Sequence, residues 1–110
     1  MSENHYAEFS ECGMKPQDVL AYVSGPAPVP AEGEVLVRMM AAPINPADIN
    51  FIQGVYGVKP VLPHSRAGLK GCGVVEESRA DGFRKGDQVI LLRGVGSWSK
   101  LVAVPAVNLM

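Results

Sequence analysis

Proline and glycine interrupt this chain so often that long regular helices have nowhere to form. The runs "GPAPVPAEGE", "PINP", "GVYG", "GCG" and "RKGD" follow one another at short intervals between Gly25 and Asp87. In all, nine prolines and twelve glycines are spread over 110 residues. Proline lacks the N–H that a helix interior or a central ladder needs, and glycine marks turns and close backbone approaches. The pieces left between them are short and apolar, which suits strands.

"HYAEFSE" reads as a first strand, and "DVLAYVS" as a second in which Val19, Ala21 and Val23 alternate. "GPAPVPAEGE" is a surface loop. "EVLVRMMAAPIN" is the strongest strand, with Val35, Val37 and Met39 on one face and Leu36 and Arg38 on the other. "GCGVVEES" is a strand opened by glycines that let another backbone come close. A tight Lys85-Gly86-Asp87 turn feeds a strand from Gln88 to Leu92, and "GSWSKLVAVP" is the last. About six short strands around one helix-forming island predict a mainly β domain, a small barrel or sandwich.

Charge excludes several kinds of partner. Hydrophobic residues make up 47% and charged residues 19%, and the net charge is −1 with both signs interspersed. No basic footprint for nucleic acid or an anionic membrane results. No apolar run approaches the ~20 residues of a membrane span. The opening "MSENHYAEFSECG" is polar and acidic, unlike a signal or transit peptide, so a cytoplasmic location is expected.

Cys12 and Cys72 are far apart and form no C-x-x-C, so two free thiols in a reducing compartment are expected. Cys72, between two glycines, is expected to be a buried, inert small residue. His5 and His64 have no partner at metal-ligand spacing, so no metal site is expected. "KGCGVV" and "RGVGSW" are lone glycine pairs. No G-x-G-x-x-G follows a strand and opens a helix, so no dinucleotide-binding unit is visible.

The helix-forming island begins at Asn45. Its side-chain oxygen can accept a first-turn amide, Pro46 suits the first helical position, and Asp48 sits near the positive end of the helix dipole. Ile49 with Ile52 or Phe51 supplies the buried side. The helix runs out at Gly54, and the turn to Gly57 presents Tyr56. A tyrosine there is either packing or an acid held over a substrate, and the residues alone leave both open.

The run "MMAAPINPADINFIQGVYG" resembles a segment of the zinc-independent medium-chain dehydrogenases/reductases. It is most similar to the mitochondrial-type 2-enoyl thioester (trans-2-enoyl-CoA/ACP) reductases, with their pattern A-A-P-I-N-P-S-D-I-N-x-I-Q-G-x-Y-G. Only Ala47, in place of serine, departs from it. "GEVLVR", "GFRKGDQVI" and "GSWSKLVAV" resemble further stretches of that family, so the likeness runs from about Asp18 onward.

The resemblance implies a GroES-like distorted β-barrel with one or two short helices. It makes residues 1–110 the catalytic, substrate-binding domain, incomplete and without the Rossmann cofactor domain into which relatives continue. It implies NADPH as hydride donor, an enoyl thioester as substrate, and Tyr56 as proton donor while hydride adds to the β-carbon. A phenol keeps its proton at neutral pH and can pass it to a developing enolate. By the same analogy Asn45 lies at the cofactor–substrate junction. Trp98 matches a family tryptophan that either contacts substrate or simply packs.

Departures from the pattern fall before "GCG". "LPHSRAGLKGCG" is one residue longer than the family's stretch and puts Lys70 where a glutamate is expected. Three functions compete: the substrate-side domain of an enoyl reductase, a quinone oxidoreductase of the same superfamily, and a free-standing, non-catalytic binding module. Either a homo-oligomer or a separate cofactor-domain partner is expected, because sheet edges without their usual cover invite association.

Overall fold

The computed structural model describes residues 3–94 and 96–110. Among them are seven strands, β1 (Glu3–Phe9), β2 (Ala21–Pro26), β3 (Glu34–Ala41), β4 (Ser65–Arg66), β5 (Gly71–Ser78), β6 (Gln88–Leu91) and β7 (Leu101–Pro105). Two helices interrupt them, α1 (Pro16–Val19) and α2 (Pro46–Gln53), and a 3-10 turn at Ala106–Asn108 follows β7. All strand pairings are antiparallel. They form one sheet in the order β2-β1-β4 and another in the order β6-β5-β3-β7. The domain is thus mainly β with short helices, as the resemblance implied.

Strand β3 carries the larger sheet's core. Val35 and Val37 are fully buried and pack with Val75, Val89 and Val104, with Met39 against the same cluster. The face of Val35 and Val37 is buried as expected, and Leu36 on the opposite face is buried as well. Two register shifts in the β3–β5 pairing, at Leu36/Val37 and Met39/Ala41, bend this ladder. Gly73 permits the approach, because a Cβ there would collide with the carbonyl oxygen of Arg38.

A second cluster of Phe9, Phe51, Ile52 and Ala67 lies under α2. Phe9 and Phe51 meet edge to face with ring centroids 5.8 Å apart. The two sheets are joined through β1. Asn4 is 1% exposed, and its amide holds both main-chain groups of Leu101. Nδ2 donates to the Leu101 carbonyl at 2.9 Å, and Oδ1 accepts the Leu101 N–H at 2.8 Å. One side chain therefore acts as a strand's worth of ladder between the sheets.

Several expectations need correction. "DVLAYVS" is not one strand: Pro16 starts a helical turn closed by the Leu20 N–H on the Pro16 carbonyl at 2.9 Å, and β2 begins only at Ala21. The alternation of Val19 with Ala21 and Val23 disguised a turn that proline at the first helical position favours. β1 starts earlier and ends at Phe9, and β6 ends at Leu91. Cys72 is exposed, not buried. On β5 it is Gly73 and Val75 that turn inward, and alternation sends Cys72 to the other face. Among the described residues no helix is long and apolar enough to cross a membrane.

Candidate functional site

The site is built around both ends of α2. At its start, Asn45 and Asp48 form a capping box, in which the Asn45 N–H donates to Asp48 Oδ2 at 2.7 Å. Pro46 occupies the first turn, as expected. Asp48 does more than complement the dipole. It is 2% exposed, and its other oxygen, Oδ1, accepts the Leu69 N–H at 2.9 Å. The carboxylate thus ties the helix start to the segment leading into β5.

At the far end Gly54 adopts φ 82°, and its N–H returns to the Asn50 and Phe51 carbonyls. A Cβ at Gly54 would also stand 2.9 Å from the Cys12 sulfur. Lys59 Nζ donates to the Gly54 carbonyl at 2.8 Å, which closes the turn from the other side. Tyr56 follows, half-buried, and packs against the cluster of Phe9, Phe51 and Ile52.

A cleft of about 260 Å³ opens beside this turn. Asn45, Asp48 and Tyr56 line it from the α2 side, and Leu69, Lys70 and Arg93 from the β5 and β6 side. Two of the three expected site residues, Tyr56 and Asn45, are therefore brought together. Trp98 is placed differently. Its ring packs against the Phe9 cluster, and its Nε1–H donates to the Pro43 carbonyl at 3.2 Å. It braces the segment just ahead of Asn45 and does not line the cleft.

The main chain around Trp98 is held as firmly. Its N–H meets the Ala67 carbonyl at 3.1 Å, and its carbonyl accepts the Ala7 N–H at 2.9 Å. Gly68, at φ 92°, makes this possible: a Cβ there would fall 2.6 Å from the Trp98 nitrogen.

Sequence reasoning missed Arg93 and the second hydrogen bond of Asp48. For Arg93 the available signal was a cation directly after the apolar run "QVILL", before a glycine. No local signal could show that Asp48 reaches Leu69. Among the described residues, no three His, Cys, Asp or Glu side chains are grouped to hold a metal ion.

Residues 31–110 match the family model of the alcohol dehydrogenase GroES-like domain. This chain belongs to that family. The GroES-like domain is 47% identical over 72 residues to the mitochondrial enoyl-[acyl-carrier-protein] reductase of Xenopus tropicalis, a match covering 63% of this chain and 20% of that protein. In structure it is similar to Etr1p in its complex with NADP and crotonyl-CoA. The TM-score is 0.86 at 28% identity, over 100% of this chain and 34% of that one. It is also similar to the quinone oxidoreductase of Pseudomonas syringae pv. Tomato DC3000, with TM-score 0.88 and 31% identity over 97% of this chain and 33% of that one. The chain thus spans about a fifth of the curated relative and about a third of each solved structure. It is a GroES-like domain of the medium-chain dehydrogenase/reductase superfamily, similar to the corresponding part of enoyl thioester reductases.

Proposed function

We propose that this GroES-like domain is the substrate-binding side of an NADPH-dependent 2-enoyl thioester reductase, with Tyr56 as the proton donor. The observation that carries the reading is the meeting of Tyr56 and Asn45 in one cleft, in a chain 47% identical to an enoyl reductase over 72 residues. NADPH, when bound, supplies the hydride that adds to the β-carbon. Tyr56 delivers the proton that completes the reduction, held by its packing on the Phe9 cluster and by the Gly54 turn. Asn45 offers an amide at the junction of substrate and cofactor, and the Trp98–Pro43 hydrogen bond fixes the backbone ahead of it.

The cleft, about 260 Å³, suits an acyl group and the edge of a nicotinamide ring. In this reading the rest of the nucleotide is held by a second domain, a partner chain or another copy. Self-association is part of the reading. Met40 on β3, Ile90 on β6 and Met110 are 61%, 50% and 70% exposed, and with Cys72 they line one shallow depression on the outer sheet face. Burying such a surface is favourable, so a homodimer or larger assembly is expected by light scattering at micromolar concentration. A cytoplasmic location belongs to the same reading and is tested by fractionation.

The deciding experiment is a fluorescence titration of NADPH into the 110-residue protein, followed by an enoyl-CoA assay. Saturable binding with turnover supports the reductase. Binding with turnover of quinones and not of enoyl thioesters would favour the second reading, quinone oxidoreductase, for which the Pseudomonas syringae likeness speaks. Absence of NADPH binding, alone and with a cofactor-domain chain, would leave a non-catalytic binding module.

A further inference from the structure

Two cations border the Tyr56 cleft. Lys70 stands just before β5, and Arg93 stands just past β6. Val58, Leu69 and Leu92 add apolar lining to the same cleft, beside the polar Asn45, Asp48 and Tyr56. Lys70 is exposed and forms no ion pair among the described residues. Arg93 donates Nε to Asn108 Oδ1 at 3.0 Å. That bond steadies the side chain and uses one of the five N–H donors of a guanidinium.

Among the described lining residues the only carboxylate is Asp48, and it is already engaged. Its two oxygens accept the N–H groups of Asn45 and Leu69, and the side chain is buried. A ligand in the cleft therefore meets positive charge that no neighbouring acid cancels. Exposed as they are, Lys70 and Arg93 can form charge-assisted hydrogen bonds to carboxylate or phosphate oxygens, most strongly at low salt.

We propose that this cleft selects a small organic anion, its apolar body against Val58 and Leu69 and its anionic group met by Lys70 and Arg93. A glutamate at position 70 would repel the same group, so the lysine is the specificity-determining residue. The inference goes beyond the reductase reading and does not rest on it, because the acyl end of an enoyl thioester carries no anionic group.

The test is an amide-resolved NMR titration of the 110-residue protein with crotonate and with its neutral counterpart crotonamide at low salt. Crotonate is expected to saturate shifts at Tyr56, Leu69, Lys70 and Arg93, with crotonamide about tenfold weaker. Lys70→Glu is expected to weaken crotonate binding about tenfold and Lys70→Gln by less, with unchanged melting in both because Lys70 is exposed. Equal binding of crotonamide, an unaffected Lys70→Glu variant, or shifts gathered instead at the Arg84–Asp87 turn would each overturn the anion site. Anion binding without enoyl reduction in a reconstituted enzyme would support it and overturn the reductase reading. Enoyl reduction without anion preference would do the reverse.

Discussion

Leu69 donates its N–H to Asp48 Oδ1 at 2.9 Å across 21 residues of sequence. This bond fixes the distance between the two walls of the cleft, because Asp48 also holds the cap of α2 and Leu69 precedes Lys70. A buried carboxylate with both oxygens occupied behaves as a rivet.

Removing the rivet should be costly. Asp48→Ala leaves the N–H groups of Asn45 and Leu69 without their acceptor, and a loss of about 3 kcal/mol in urea unfolding is expected. Asp48→Asn, which keeps the shape and one acceptor, should lose about half as much. A cost below ~1 kcal/mol for the alanine variant would mean that water replaces the carboxylate and that the walls are not held this way.

The amide of Asn4 makes a second prediction. Asn4→Ala should cost about 2 kcal/mol, since both main-chain groups of Leu101 lose their partner in a buried place. Hydrogen exchange at the Leu101 amide should quicken along with it. Unchanged protection there would show that the sheets are held together without Asn4.

Gly68 should tolerate no side chain. Its φ of 92° and the nearness of the Trp98 nitrogen add strain and overlap in one place. Gly68→Ala is expected to destabilise by about 2 kcal/mol or more and to shift the Trp98 fluorescence maximum. Native-like emission and stability in that variant would contradict the packing described.

Tyr56→Phe separates packing from chemistry. The ring that packs against the Phe9 cluster is retained, so melting should change by no more than about 0.5 kcal/mol. Enoyl reduction by a reconstituted enzyme should fall about a hundredfold or more. Full turnover in the phenylalanine variant would retire Tyr56 as the proton donor.

Both thiols should be open to solvent in the single chain. Cys12 and Cys72 are exposed, so in dilute protein Ellman's reagent should titrate two equivalents without denaturant. At micromolar concentration, where a second copy covers the face around Cys72, one equivalent should react much more slowly. If one reacts only after unfolding, the outward placement of Cys72 is wrong.

How much was legible in the sequence follows the range of the interactions. Helix α2 was readable because its determinants are neighbours: Asn45, Pro46 and Asp48 at one end, Gly54 at the other. The inward face of β3 was readable because apolar residues repeat every second position in Val35, Val37 and Met39, which share the larger sheet's core. The family pattern singled out Tyr56 and Asn45, and the fold brings both to one cleft. The turn at Pro16 was hidden because four residues offer too little periodicity to compete with the alternation after them.

Taken by itself, the sequence determined the β class, the helix with its capped start, and the glycine turn that carries Tyr56, all set by local backbone chemistry. Tertiary structure alone decided what faces that tyrosine. Lys70 and Arg93 come from strand ends distant in sequence, and they meet at the cleft only because β5 and β6 pair in one register. Cys72 shows the same physics: a strand residue turns outward or inward according to which sheet face the rest of the chain covers, and no short stretch contains that information.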